Sequence, residues 1–184
     1  GGGATNRVAR ELLRSSATHR QSDAPSGSTS HLPLRGRKLA HYRPPMSFTI
    51  PGTAFGDRVR RRLETEIVGW LTTVDADGTP RPSPIWFLWE GETMLIYSKD
   101  GTSRTRNLAR NPACAFNFDG NGTGGDIVIL EGTAVVSEDP PSTEVTEYQA
   151  KYRQEIPRIG MDPGSFAIAY PVPIRFTPDR LRGF

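Results

Sequence analysis

The 184-residue sequence has one cysteine, Cys114, and three histidines, His19, His31 and His41, all within the first 45 residues. A single cysteine excludes an internal disulfide framework. Its place in the apolar stretch Ala113 to Phe118 reads as core packing, not as a nucleophile. With no histidine after residue 45, His-based triads, most zinc sites and the commonest general acid–base are excluded from the foldable part. No apolar run approaches the length of a membrane-spanning helix. The N-terminus also lacks the apolar core of a signal peptide. The expectation is a cytoplasmic protein with neither membrane nor metal in its function.

Charge is unevenly spread. Residues 1–45 hold eight of the 23 basic residues and two of the 20 acidic ones, which leaves 15 basic and 18 acidic for residues 46–184. The domain is therefore mildly acidic, and the formal +3 belongs to the leading segment. A pI near 9.3 would otherwise suggest nucleic acid, and that reading is set aside. The leading segment is rich in Arg, Ser, Gly and Pro and has little to bury. It is expected to be a disordered extension over 1–45 (a leader, tag or upstream sequence), with Met46 as the natural start of a single domain over 46–184.

The rest of the chain is organised around Leu95 to Phe118, LIYSKDGTSRTRNLARNPACAFNF. Leu95, Ile96 and Tyr97 are β-formers. Ser98 to Thr102 is polar turn chemistry. Ser103 is placed to cap a helix running to Asn111, and Pro112 stops it. Lys99, Arg104 and Arg106 thus gather at a helix N-terminus, where unpaired backbone N–H groups favour an anion. The alternative is a solvated charged helix; cap, charge and turn converging on one spot favour a phosphate clamp.

Before this stretch, Thr53 caps a helix through Glu66, with Phe55, Val59 and Leu63 as its apolar stripe and Arg58, Arg60, Arg61 and Arg62 as its wet face. Ile67 to Val74 reads as a strand, and Asp75-Ala76-Asp77-Gly78 as a hairpin turn. The turn resembles half a calcium loop, but the twelfth position is Trp86, so that reading is rejected. Thr79 to Trp89 reads as one strand whose alternating Pro80, Pro82 and Pro84 mark a sheet edge or a ligand rim. Met94 to Ser98 completes a three-strand meander. Gly120, Gly122 and Gly125 match G-x-G-x-x-G, but a strand follows where a dinucleotide fold needs a helix, so a flexible hairpin loop is expected. Asp126 to Val136 is that strand, Pro140 to Ile156 a helix ended by Pro157, and Phe166 to Phe176 a last strand. Six antiparallel strands, three helices and no βαβ repeat imply a mainly β fold, a small barrel with peripheral helices.

Paired carboxylates are available in Asp75, Asp77, Glu90 and Glu92, but they sit in turns where solvation is expected, so a cofactor should carry any chemistry. Hydride transfer suits this inventory, because it needs position and electrostatics above all. Here the chain resembles the pyridoxamine-phosphate-oxidase-like split β-barrel flavoproteins, and more narrowly their actinobacterial F420-dependent oxidoreductase branch. The likeness lies in TTVDADGTPRPSPIWFLWEGETMLIYSKDGTSRTRNLARNP, Thr72 to Pro112, supported by DIVILEGTAVV and PIRFTPDRLRGF.

The resemblance implies a six-stranded FMN-binding-type split barrel and a homodimer with cofactor sites at the subunit interface. Carried over, Arg81, Pro82, Ser83, Pro84, Ile85 and Trp86 would run beside the deazaflavin or flavin ring. Tyr97, Ser98 and Lys99 would follow the ribityl–phosphate region, and Ser103, Arg104 and Arg106 would hold the phosphate. Arg182 and Phe184 are further candidates for closing the pocket. The chain end lacks the Arg–His motif of the authentic oxidases, which argues against pyridoxal phosphate synthesis. The implied cofactor is coenzyme F420, with FMN as the alternative, and the implied activity is reduction of an unsaturated small molecule. A non-catalytic cofactor carrier is the third reading.

Overall fold

The computed structural model describes residues 48–184. The extension over 1–45 and the start at Met46 lie outside the described residues. Helix α1, Ala54–Thr65, begins where the Thr53 hydroxyl accepts the Gly56 N–H at 3.2 Å. Its Val59 and Leu63 are fully buried, as the four-residue spacing requires. Arg62 corrects the expected wet face. Its guanidinium is buried, stacks on Phe118 at 4.6 Å, and donates to the carbonyls of Asp119 at 2.7 Å and Asp126 at 2.8 Å.

Those bonds hold the ends of the glycine-rich loop. Within the loop the Asn121 carboxamide oxygen accepts from the Thr123 and Gly125 N–H groups at 3.0 and 2.9 Å. The expected flexible hairpin loop is thus an organised turn, ordered by a side chain that competes for local backbone donors.

Strands β1, Val68–Val74, and β2, Pro80–Trp86, form an antiparallel hairpin in which Pro80, Pro82 and Pro84 face Val74, Thr72 and Trp70. The prolines sit on a terminal strand that pairs with β1 alone, so their missing donors fall on the unladdered side. The single strand expected over Thr79–Trp89 breaks at Phe87. Its remainder, β3 (Leu88–Trp89), pairs with β4 (Met94–Ser98). There are therefore seven strands, not six, and two separate hairpins in place of the meander.

Adding β5 (Ala113–Asn117), β6 (Val128–Val136) and β7 (Val172–Gly183), the order is β2-β1-β5-β6-β7-β4-β3. The two halves of one chain segment thus stand at opposite ends of a single antiparallel sheet. Only Phe87 separates them, so the sheet curls until its ends meet. Phe87 leaves the ladder at this corner, and the Tyr152 hydroxyl serves its backbone: Tyr152 Oη accepts the Phe87 N–H at 2.6 Å and lies 2.8 Å from the Phe87 carbonyl.

The long helix expected over Pro140–Ile156 is broken into a 3-10 turn, Ser142–Glu144, α3, Thr146–Tyr152, and α4, Glu155–Arg158. Pro157 lies inside the first turn of α4, where a missing N–H costs nothing, and so does not end the helix. The strand expected over Phe166–Phe176 begins only at Val172. Before it runs α5, Pro163–Ala169, opened by an Asp162 capping box and Pro163. Two cores result. One fills the barrel around Leu71, Phe116, Leu130 and Phe176. The other joins β3 and β4 to α3–α5 through Leu95, Tyr97, Tyr148, Tyr152 and Phe166.

Candidate functional site

Helix α2, Ser103–Arg110, follows a tight turn in which Gly101 adopts φ +63°. The cap is Thr102, whose hydroxyl accepts the Thr105 N–H at 3.3 Å; Ser103, expected as the cap, is the first helical residue. The one-residue shift frees the Ser103 hydroxyl for the space in front of the helix. Beside it, β2, β4, α2 and α5 enclose a cavity of about 450 Å³.

Nine of the expected residues line this cavity: Ser83, Pro84, Ile85, Trp86, Tyr97, Ser98, Lys99, Ser103 and Arg104. Arg81 and Arg106 do not. They line a neighbouring groove of about 490 Å³ with Arg110, Asn107, Asp75 and Asp77, and Ser103 is common to both. Pro82 lines neither. Arg182 pairs with Glu131 at 2.5 Å on the β6–β7 ladder, and Phe184 exchanges backbone bonds with Ile127; neither lines the cavity of its own chain.

Arg104 is the centre of the cavity. Its Nε and Nη2 donate to Ser83 Oγ at 3.2 and 2.9 Å, Nη2 to the Pro84 carbonyl at 3.2 Å, and Nη1 to Ser98 Oγ at 3.4 Å. Burial lowers its pKa from the ordinary guanidinium value. All these partners are neutral. Among the described residues neither Arg104 nor Lys99 pairs with a carboxylate, and no acidic residue lines the cavity. A half-buried cation without a counter-charge, beside the open end of a helix, fits the phosphate of a bound cofactor.

The other end of the cavity is apolar and aromatic. Trp86 stacks on Tyr152 at 4.6 Å with planes 6° apart, and on Phe166 at 5.5 Å. Phe166 in turn stacks on Tyr170 at 4.7 Å. The Tyr97 hydroxyl is engaged elsewhere, donating to the Pro140 carbonyl at 2.6 Å, and burial pushes its pKa up to about 12.

Val68, Thr102, Ile159, Phe166 and Tyr170 were not expected here. The start signal for α5, Asp162-Pro163 followed by Ser165, was present in the sequence and would have moved Phe166 and Tyr170 off a strand. Ile159 carried no such signal. Cys114 is half-buried against the barrel core, and burial pushes its thiol up to about 12, as packing requires.

The curled antiparallel sheet, its peripheral helices and the cation-bearing cavity beside its terminal strand define a split β-barrel. Residues 55–182 match the family model described as pyridoxamine 5'-phosphate oxidase, and the chain belongs to that family. Solved structures share the fold. An F420 reductase is 24% identical with TM-score 0.54, the match covering 67% of this chain and 94% of that one. A conserved hypothetical protein from Mycobacterium tuberculosis is 20% identical with TM-score 0.56, covering 72% and 84%. A heme storage protein from Vibrio cholerae is 18% identical with TM-score 0.50, covering 69% and 92%. No curated protein matches. The fold thus accommodates both a reductase and a storage protein, and function must be argued from the site.

Proposed function

We propose that the cavity binds coenzyme F420 and that the protein is an F420-dependent oxidoreductase acting on an unsaturated small-molecule acceptor. The observation that carries this reading is the Arg104 charge, held without a carboxylate partner at one end of a cavity whose other end is apolar and aromatic. Lys99, Ser103, Arg104 and the first N–H groups of α2 would hold the phosphate. Ser83 to Trp86 of β2 would form a wall for the ring system, and Tyr97 and Ser98 of β4 would line the stretch between ring and phosphate. Phe166 and Tyr170 face that wall and keep water from the reacting atoms.

When bound, the deazaflavin supplies a hydride from its C5. The residues around it supply position and electrostatics. The Tyr97 hydroxyl keeps its proton and donates it in a hydrogen bond to the Pro140 carbonyl, so solvent would provide the proton that completes the reduction.

The adjoining groove favours F420 over FMN. Arg81, Arg106 and Arg110 line it with Asp75 and Asp77, and Arg81 pairs with Asp75 at 2.7 Å. The groove keeps a net positive charge, with Arg106 and Arg110 in no ion pair among the described residues, for the anionic tail that F420 has and FMN lacks. The homodimer belongs to the same proposal, supported by the exposed Val68 and Ile159 at the cavity mouth.

Titration of the intrinsic fluorescence with oxidised F420 and, separately, with FMN tests the reading, because Trp86 lines the cavity. Saturable quenching by F420 supports it. Quenching by FMN alone moves the protein to the flavin enzymes of the family. Binding of F420 without turnover of any acceptor makes it a carrier, and no response to either cofactor removes the function.

A further inference from the structure

We infer that Ser83 is a positioning residue: its hydroxyl holds the Arg104 guanidinium in place for an anion and does not itself touch that anion. The inference rests on the reading that the cavity takes an anion, and on nothing about which cofactor carries it. A serine hydroxyl has one proton and two lone pairs. In Ser83 all three are used. The proton goes to the Leu71 carbonyl at 3.3 Å, while Arg104 Nε and Nη2 approach the oxygen at 3.2 and 2.9 Å. No capacity remains for a ligand, although Ser83 lines the cavity.

The same accounting applied to Arg104 shows what the serine accomplishes. A guanidinium has five N–H donors. Two meet Ser83, one the Pro84 carbonyl and one Ser98. One Nη1 hydrogen is left. Arg104 therefore does not embrace an anion with a two-pronged fork. It presents a fixed charge and a single donor, tied to β2 through Ser83 and to β4 through Ser98.

Ser83 is itself tied through Leu71 to β1, so the charge is anchored to the sheet. The rotamer freedom that an arginine ordinarily loses on binding is already lost in the free protein. The terminal position of β2 makes this tie necessary. Its prolines donate nothing and its outer side has no ladder, so a side chain must link it to α2.

The test is thermal unfolding in inorganic phosphate against sodium chloride at matched ionic strength, with phosphate affinity taken from the shift in midpoint. Wild type is expected to melt higher in phosphate, and Arg104→Ala to lose that increment. Ser83→Ala should weaken phosphate binding about tenfold, the size of coupling expected between bonded neighbours. Ser83→Thr, which keeps the hydroxyl, should retain it. In the Arg104→Ala background, Ser83→Ala should change phosphate binding no further.

A merely structural serine would lower the midpoint in chloride and leave the phosphate increment intact, and that result overturns the inference while the anion site stands. A wild-type protein with no phosphate increment overturns both. If Ser83→Ala does not fold, Ser83→Cys, of similar shape but a weaker acceptor, is read in the same way.

Discussion

The Tyr152 hydroxyl meets both backbone polar groups of Phe87, the N–H at 2.6 Å and the carbonyl at 2.8 Å, across 65 residues of sequence. It replaces the ladder partner that Phe87 gives up at the barrel corner. Tyr152→Phe removes only that oxygen. The variant should lose about 2–4 kcal/mol, the cost of orphaning the Phe87 N–H and the hydroxyl proton's acceptors, the carbonyls of Phe87 and, at 3.0 Å, Ile67. Urea unfolding measures it. Trp86 stacks on Tyr152, so its emission should shift in the folded variant as well. A variant as stable as wild type would show that water serves the corner.

Arg62 closes the glycine-rich loop from beneath. Arg62→Met keeps the packing on Phe118 but strips the Asp119 and Asp126 carbonyls of their donor and leaves the Asp126 carboxylate without its 3.1 Å partner. A loss of about 2–4 kcal/mol is expected from the two loop carbonyls left without their donor, while the Asp126 carboxylate keeps Arg58 at 2.8 Å. Hydrogen exchange should locate it in the loop over 119–126. Protection unchanged there would refute the assignment.

Burial pushes the Lys151 ammonium from 10.5 down to about 8. The Phe87 ring, 4.0 Å from Nζ, favours the charged form and acts against this. Because the folded pKa is depressed, the unfolded chain holds a proton between about pH 8 and 10.5 that the folded chain has released. Lys151 therefore costs stability below pH 8, and the cost fades as pH rises through that window. Lys151→Met should be more stable than wild type at neutral pH, and the gap should narrow toward pH 10. Denaturation of the two proteins side by side cancels the tyrosines and Cys114, which titrate in the opposite sense. A gap independent of pH would contradict the shift.

The groove and the cavity are separable by mutation. Arg106→Ala with Arg110→Ala should weaken F420 roughly tenfold or more, two charge-assisted contacts being lost, and leave FMN unchanged. Arg104→Ala should weaken both. Equal losses for both cofactors in the groove variant would place the tail elsewhere.

Local chemistry was legible in the sequence. The Asp75–Gly78 hairpin, the Thr53 cap, the end of α2 before Pro112 and the alternating prolines of a terminal strand each rest on a few neighbouring residues. Lys99, Ser103 and Arg104 were brought together by the turn and helix start they share, whereas Ser83 to Trp86, Tyr97 and Ser98 came from the family resemblance; all nine line one cavity. What failed depended on distance or on a close contest. The break at Phe87 is stabilised by Tyr152, which no local pattern announces. Arg62 resembles its exposed neighbours until the loop folds over it. Phe166 to Tyr170 alternates small and large apolar residues like a strand, and the capping box at Asp162 outweighs that pattern. Arg81 and Arg106 are close to the cavity in sequence but line the next groove: Arg81 lies two residues before Ser83, further along β2, and Arg106 two residues beyond Arg104, just over half a helical turn away.

Because β2 and β3 are one stretch of chain interrupted at Phe87, the wall of the cavity is also the seam of the barrel. Ile85 and Trp86 lie immediately before the corner, and Leu88 immediately after it belongs to the opposite end of the sheet. Opening the seam would pull the wall away, and a molecule braced against the wall would resist the opening. Occupancy of the cavity and integrity of the barrel are in this sense a single mechanical property, and a ligand that fits should slow the unfolding of the whole domain.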